Sequence, residues 1–326
     1  MIDVCDYMEK QILFVILEND EKISFLNDNI VIKDKEGKIK HQSTCYRLFA
    51  VFLVGEASLT TGIIQRAKRF NFSILLFTKS FRLYEVIGGN KDSNTILHKV
   101  QYEYNGLEIA KKIIENKIIN QIFILQSNRE KDKDIQEAIR KMKECVSGLK
   151  GAQTVQEVMG REGVASKIYF SRHFTNVFWQ TRIPRLKIDY INSILDVGYT
   201  VLFAFIESIL SIYGFDLYCG VLHRMFYMRK SLVCDLVEPF RPIIDQQIKK
   251  SINLKQFKEE DCLVQDGKWV LKWEESSKYV TVFLKCLLLY KKEIFIYIQS
   301  YYRAFMRRKK IEDFPVFELK NGFDKL

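Results

Sequence analysis

Short apolar runs separated by turn formers fill the first ninety residues, and apolar spacings of three and four take over after that. In ISFLNDNIVI two β-prone runs flank Asn27-Asp28-Asn29, KEGK offers a second turn, and RLFAVFLVG is an unbroken apolar run of sheet-core type. Ser58 to Phe70 predicts one short helix opening at Thr60 and Thr61, and SILLF and FRLYEVI predict two further strands. Gly88, Gly89, Asn90 and the polar KDSN form the expected linker. From Thr95 onward the spacing is helical almost throughout: GLEIAKKIIENKIINQIFIL and KDIQEAIRKMKECV lie on either side of the charged loop NREKDKD, and Gly148 and Gly151 mark a break. Further helices are expected over Thr154 to about Phe178, Ile188 to Tyr213, a short segment around His223, the stretch SLVCDLVEPFRP, and a long amphipathic element from Lys278 to Lys310. No internal repeat or low-complexity tract is present. The pattern predicts an α+β protein, with a mostly antiparallel β-rich domain carrying one short helix over 1–90 and a larger all-α domain over 91–326.

Composition changes this picture mainly through charge. At 326 residues and 48% hydrophobic, the chain can bury two cores and is not disordered. Fifty-one Lys and Arg against 40 Asp and Glu give +11, which favours an anionic partner, either nucleic acid or an acidic membrane surface. The N-terminal MIDVCDYMEK lacks the basic start and apolar core of a secretory signal. Asp196, Glu207 and Asp216 interrupt the most apolar stretch, leaving at most ten uncharged residues in a row, too few to span a bilayer. Seven cysteines with no CxxC pair fit reduced thiols, so a cytoplasmic location is expected.

Several carboxylates sit where burial is expected. On the helix from Thr154, a wheel at about 100° per residue places Val155, Val158, Ala165, Ser166 and Tyr169 within about 60° of Glu162, so this acid points inward with the apolar stripe. It needs an arginine or a metal ion as partner, because a bare buried carboxylate costs several kcal/mol or is neutralised. Gly160 and Gly163 beside it would let another backbone or a ligand approach. His173, eleven residues on, lies about 16 Å down the axis and cannot share a metal with Glu162. In SLVCDLVEPFRP, Asp235 and Glu238 stand three apart among apolar residues, which forces two negative charges together unless a cation is present. His223 sits in an equally apolar setting nearby, CGVLHRMF. Glu162, His223, Asp235 and Glu238 could form ordinary ion pairs, or could supply mostly oxygen ligands with one imidazole, a set that suits Mg2+ or Mn2+ and argues against structural zinc. Such a site is hydrolytic or transesterifying.

No nucleotide-binding or serine-hydrolase motif competes: GxxxxGK[ST], GxGxxG after a strand and GxSxG are all absent. Arg161, Lys167, Arg172, Arg182, Arg185 and Lys187 surround the glutamate helix, and Arg224, Arg229, Lys230 and Arg241 surround the histidine and acid pair. These cations would hold phosphates on either side of a scissile bond, with solvated helix faces as the alternative. The C-terminal YKKEIFIYIQSYYRAFMRRKK reads as an amphipathic helix with a basic outer face.

Four motifs in series, MGREGVASKIYF, RIPRLKIDYINSILDVGYTVLF, YCGVLH and SLVCDLVEPFRP, resemble in order and spacing those of the CRISPR-associated protein One family, the integrase subunit that inserts new spacers into a CRISPR array. The match is dense from about Val155 to Ile248. The resemblance implies a homodimer-forming β domain and a helical catalytic domain with one divalent ion, Mg2+ or Mn2+. It implies Glu162, His223 and Glu238 as metal ligands, with Asp235 as the neighbouring acid that supports ligand geometry or a bound water. The family often has aspartate where this chain has Glu238, which leaves open whether Asp235 or Glu238 is the direct ligand. The implied reaction is attack by a DNA 3′-hydroxyl on a repeat phosphodiester, with nuclease activity from the same site. Double-stranded DNA and the small dimeric CRISPR-associated protein Two are the implied partners. A nuclease that only cuts and a non-enzymatic nucleic-acid-binding protein are the rival readings. Because Pro239 suits a first helical turn while the acids are expected to be helical already, a kinked or late-starting helix is expected there.

Overall fold

The computed structural model describes residues 10–17, 20–78, 83–88, 94–128, 132–175, 179, 181–183, 186–223 and 226–319. By packing, the chain divides into two compact units, Met1–Leu97 with Glu207–Phe215, and His98–Ile206 with Asp216–Leu326.

The first unit is strand-rich, as the alternation predicts. Strands β1 (Gln11–Ile16), β5 (Leu48–Val54), β6 (Ser73–Phe77) and β7 (Leu83–Ile87) form one sheet in the order β1-β5-β6-β7, and β2 (Lys22–Leu26), β3 (Asn29–Lys33) and β4 (Ile39–Thr44) form a second. The β2–β3, β3–β4 and β6–β7 pairings are antiparallel, while β1–β5 and β5–β6 are parallel. Every residue of β5 is buried, which is why LFAVFLV reads as continuous rather than alternating. Asn27 takes a φ of 53° at the β2–β3 turn, and Gly37 a φ of +82° in KEGK, where Asp34 accepts from the Glu36 and Lys38 amides. Helix α1 (Thr61–Arg69) buries Ile63 and Ala67 in a core shared with Leu13, Ile30, Val51 and Ile74. The Gly88–Asn94 linker falls largely on residues outside those described.

Helices dominate the second unit. α2 (Thr95–Glu103) begins at its boundary; α3 (Leu107–Gln126), α4 (Lys133–Leu149) and α5 (Val155–His173) follow, and α3 packs on both of the others. Thr154 caps α5 by accepting from the Glu157 amide, and the Glu157 carboxylate in turn accepts from the Gln153 amide, a variant of the capping box at the predicted start. α6 (Tyr190–Tyr213) is capped by Asp189, which accepts from the Asn192 amide at 2.6 Å. This helix is long and apolar enough to cross a membrane, contrary to the expectation that its charges cut it too short, but 72% of its apolar window is buried inside the protein, as in a core helix.

The segment around His223 is a loop rather than a helix. SLVCDLVEPFRP is broken: α7 (Ser231–Leu236) ends, Glu238–Phe240 makes one 3-10 turn, and α8 (Arg241–Asn253) starts with Pro242 in its first turn. Proline cannot donate an amide, so Pro239 separates the two helices, as its position predicts. Two features were not expected. A hairpin, β8 (Cys262–Gln265) with β9 (Lys268–Leu271), turns at Asp266-Gly267 with both residues at positive φ. The long C-terminal element is two helices, α9 (Trp273–Leu289) and α10 (Lys291–Met306), broken at the buried Tyr290.

Candidate active site

Glu162 projects from the α5 face that buries Val158, Ala165 and Tyr169, as the wheel predicts, and accepts a bond from Ser166 Oγ one turn later at 2.7 Å. Its partner within the protein is a lysine rather than an arginine. Lys117, from the middle of α3, donates to Glu162 Oε1, and the same ammonium lies 2.7 Å from Glu238 Oε2. One buried cation therefore bridges two carboxylates from different elements. Arg241 Nε donates to Glu238 Oε1 at 2.8 Å. Burial would raise the Glu238 pKa, but Arg241 and Lys117 outweigh it and hold the carboxyl at about 2. Burial would also lower the Lys117 amine, and the two glutamates overcome that and raise it.

Asp235 is fully buried and spends both oxygens on one loop. Its Oδ2 accepts from the Val221 and Leu222 amides at 2.5 and 3.0 Å, and Oδ1 accepts from the His223 amide at 2.9 Å and the His223 ring Nδ1 at 2.7 Å. A carboxylate acceptor at Nδ1 fixes the neutral ring with its proton there, leaving Nε2 as the basic nitrogen. Asp235 thus meets His223, as the supporting acid the resemblance implies, but does not share the cavity with Glu162 and Glu238. Asp235 stands behind the histidine and does not line the cavity, and among the described residues no three His, Cys, Asp or Glu side chains are close enough to share a metal ion.

The cavity itself measures about 970 Å³ and is lined by Glu162, His223 and Glu238 together with Lys117, Lys167, Arg182, Lys187, Arg229 and Arg241, with Asp196 the third carboxylate. Six cations against three carboxylates make it a positively charged hollow. Arg182 Nη2 donates to Asp196 Oδ1 at 2.6 Å and its Nη1 donates to Asn192 Oδ1 at 3.0 Å, which fixes the guanidinium on α6. Of the other expected cations, Arg161 packs against Gly148 of α4, Arg172 pairs with Asp134 at 3.1 Å, and Lys230 does not line the cavity. Arg185 and Arg224 lie outside the described residues. His173 is buried and bonds the Asp245 carbonyl through Nε2 at 3.0 Å, separate from the cavity lining.

The family model for CRISPR associated protein Cas1 matches residues 14–285. The chain belongs to the Cas1 family. A curated relative, CRISPR-associated endonuclease Cas1 1 of Thermodesulfovibrio yellowstonii, is 29% identical over 226 residues, covering 65% of this chain and 71% of the relative. A casposase bound to integration product has the same fold, with TM-score 0.71, 20% identity, and coverage of 96% of this chain and 98% of that one. A Cas6-RT-Cas1–Cas2 complex matches with TM-score 0.74 and 20% identity over 95% of this chain, which spans 36% of that longer polypeptide.

Within this Cas1 family member, sequence reasoning missed three groups. Lys117 lies three and four residues from the buried Ile114 and Ile113, on the apolar side of α3. The same wheel that singled out Glu162 would have found it. Asp245 is buried, accepts from Tyr199 at 2.5 Å, and is pushed by burial to a pKa of about 6. Asn120 donates to the Pro239 carbonyl at 3.1 Å, pinning the turn that carries Glu238. Polar residues in the apolar register of α3 and α8 were the available signal.

Proposed function

We propose that this protein is a CRISPR adaptation integrase that joins short DNA fragments to a repeat by transesterification, with DNA nuclease activity from the same site. The observation that carries this reading is the pairing of Glu162 and Glu238 around one cation, beside a histidine whose Nδ1 is committed to a buried aspartate, in a cationic cavity. Two carboxylates that share an ammonium are suited to share a divalent ion, Mg2+ or Mn2+, and His223 Nε2 is the free imidazole nitrogen to complete the set. Glu162, Glu238 and His223 would hold the ion after a local rearrangement that draws them together, since they are not yet grouped closely enough to share one, with Asp235 orienting His223 rather than ligating. Such an ion supplies Lewis-acid polarisation of a phosphodiester and neutralises charge that develops on it.

The chain's own residues account for the rest. Arg241 is anchored by Glu238 and lies 4.4 Å from the centre of the Tyr199 ring, so its position is set before substrate arrives. Arg182 is likewise held, and Lys167, Lys187 and Arg229 are placed to bind phosphates on either side of the reacting one. An in-line attack by a 3′-hydroxyl then breaks the P–O bond in the repeat and forms a new one, the departing 3′-oxygen taking a proton. Water in place of the hydroxyl gives a nick. By analogy with the Cas6-RT-Cas1–Cas2 complex, the chain works with a Cas2 partner, and the sequence resemblance and composition extend the proposal to a homodimer acting on double-stranded DNA in the cytoplasm.

Incubation with a prespacer duplex, a plasmid carrying a repeat and Mn2+ tests the reading. Joined products are expected, and they should disappear in Glu162→Gln with DNA binding retained. Nicking without joining would leave the cutting-only nuclease; the curated relative is named an endonuclease. Unchanged products in Glu162→Gln and Glu238→Gln would remove the site from the chemistry altogether.

A further inference from the structure

Lys117 has no part in the chemistry just described, yet its side chain is more deeply buried than that of Arg182 or Arg241, at 8% exposure against 13% and 26%. Burying an ammonium is costly unless it is paired on all sides, and here two carboxylates pair it. Glu162 and Glu238 are matched in charge by Lys117 and Arg241, so the constellation is already neutral. Three of its four carboxylate oxygens also face protein donors. Glu162 Oε1 accepts from both Lys117 and Ser166, Glu238 Oε1 accepts from Arg241, and Glu238 Oε2 faces the Lys117 ammonium.

A divalent ion entering this place meets no net negative charge and finds the Lys117 ammonium seated between the two carboxylates. It can bind them only if the lysine withdraws, and the site then carries the ion and a released ammonium together, an excess of two positive charges. A phosphodiester supplies the missing negative charge and three-donor Lys117 has a natural second partner in it. The side chain is free to make that change without backbone movement, because it is long, flexible, and lines the same cavity as the phosphate-facing cations.

We infer that Lys117 couples metal loading to substrate. It holds the carboxylate pair while the cavity contains no nucleic acid, and it hands them to the ion when a phosphodiester enters. This rests on the metal reading above, with Lys117 as a positioning residue. The device would keep the site from loading a metal, and therefore from cutting, until DNA is in place.

The test is a Mn2+ titration followed by electron paramagnetic resonance of free Mn2+, on the full chain, with and without a short DNA duplex. For the unaltered protein we expect weak Mn2+ binding alone and about tenfold tighter binding with DNA, within the ordinary range of coupling between two ligands. Lys117→Met should bind Mn2+ tightly without DNA and gain little from adding it. Because that variant leaves two acids facing each other and could fold poorly, the reciprocal measurement is made on the unaltered protein. Fluorescence anisotropy should give DNA binding tightened by the same factor on adding Mn2+, and Glu238→Gln should lose that gain. Equal Mn2+ affinity with and without DNA overturns the inference while leaving the metal reading standing, provided Glu238→Gln abolishes binding. Mn2+ binding that ignores both Glu162→Gln and Glu238→Gln overturns the metal reading and the inference with it.

Discussion

Asp235 and Glu238 illustrate how two acids three residues apart acquire different tasks. The turn at Pro239 leaves Glu238 at the cavity wall, while Asp235, still inside α7, faces the His223 loop. Asp235→Asn keeps the shape but places an amide donor where amide and imidazole N–H groups now point. Strand-transfer rates should fall by about 10–100-fold, the usual cost of losing the group that orients a histidine. Measurement of single-turnover rates alongside Mn2+ binding checks this; an unchanged rate would deny Asp235 its positioning role. Asp245 offers a pH test. Tyr199, Arg241, Arg182 and Lys117 face it, and burial still raises its pKa from 3.8 to about 6. A raised acid stabilises the fold fully below its unfolded pKa and loses that contribution as pH rises through the folded one. Asp245→Asn should therefore gain on the parent as pH goes from 4 to 7, by on the order of 3 kcal/mol of pH-dependent stability. Thermal melts across that range would show parallel curves if the carboxyl did not titrate there. At this scale, Glu162 was legible because an acid in an apolar stripe stands out. The Asp235–Glu238 division came only from the resemblance, because both share one helical face in the sequence pattern and only the three-dimensional loop separates them.

Elements place these residues through buried polar bonds as much as through apolar packing. On α3, Asn116 and Asn120 reach the C-terminal segment: Asn116 donates to the Phe317 carbonyl at 2.7 Å and accepts from its amide at 2.8 Å, and Asn120 accepts from the Leu319 amide at 3.1 Å. Since Asn120 also holds Pro239, Asn120→Ala leaves several buried groups without partners. A loss of about 2–3 kcal/mol is expected in chemical denaturation, with the Glu238 turn loosened. Gly220 fills a narrower need. A Cβ there would meet Asp235 Oδ2 at 2.7 Å and the Ser231 carbonyl carbon at 2.8 Å, so Gly220→Ala should displace the loop and reduce activity even where the melting temperature changes little. Most helices and strands were legible from periodicity and caps, as Thr154 and the KEGK turn show. The β8–β9 hairpin carried a sequence signal in Asp266-Gly267, a pair that favours tight turns, but Leu263 and Val264 are exposed and gave no core pattern to set against the surrounding helices. The break at Tyr290 had no glycine or proline to announce it.

For the molecule as a whole, net charge and cavity charge point the same way. The +11 excess favours an anionic partner, and six cations line the hollow that holds the carboxylate pair, where the proposed DNA contact falls. Replacing Lys167 and Lys187 by alanine should weaken DNA binding across sequences and reduce the slope of log affinity against log salt by about 2 in anisotropy titrations. A slope that does not change would move the DNA path elsewhere. The central claim is that this site joins DNA ends. Its most direct test is strand transfer from a labelled prespacer into a repeat-bearing plasmid with Mn2+, comparing a 3′-hydroxyl end with a 3′-dideoxy end. Joined product is expected from the hydroxyl alone, lost in Glu238→Gln. Equal nicking with both ends and no joined product from either would contradict it.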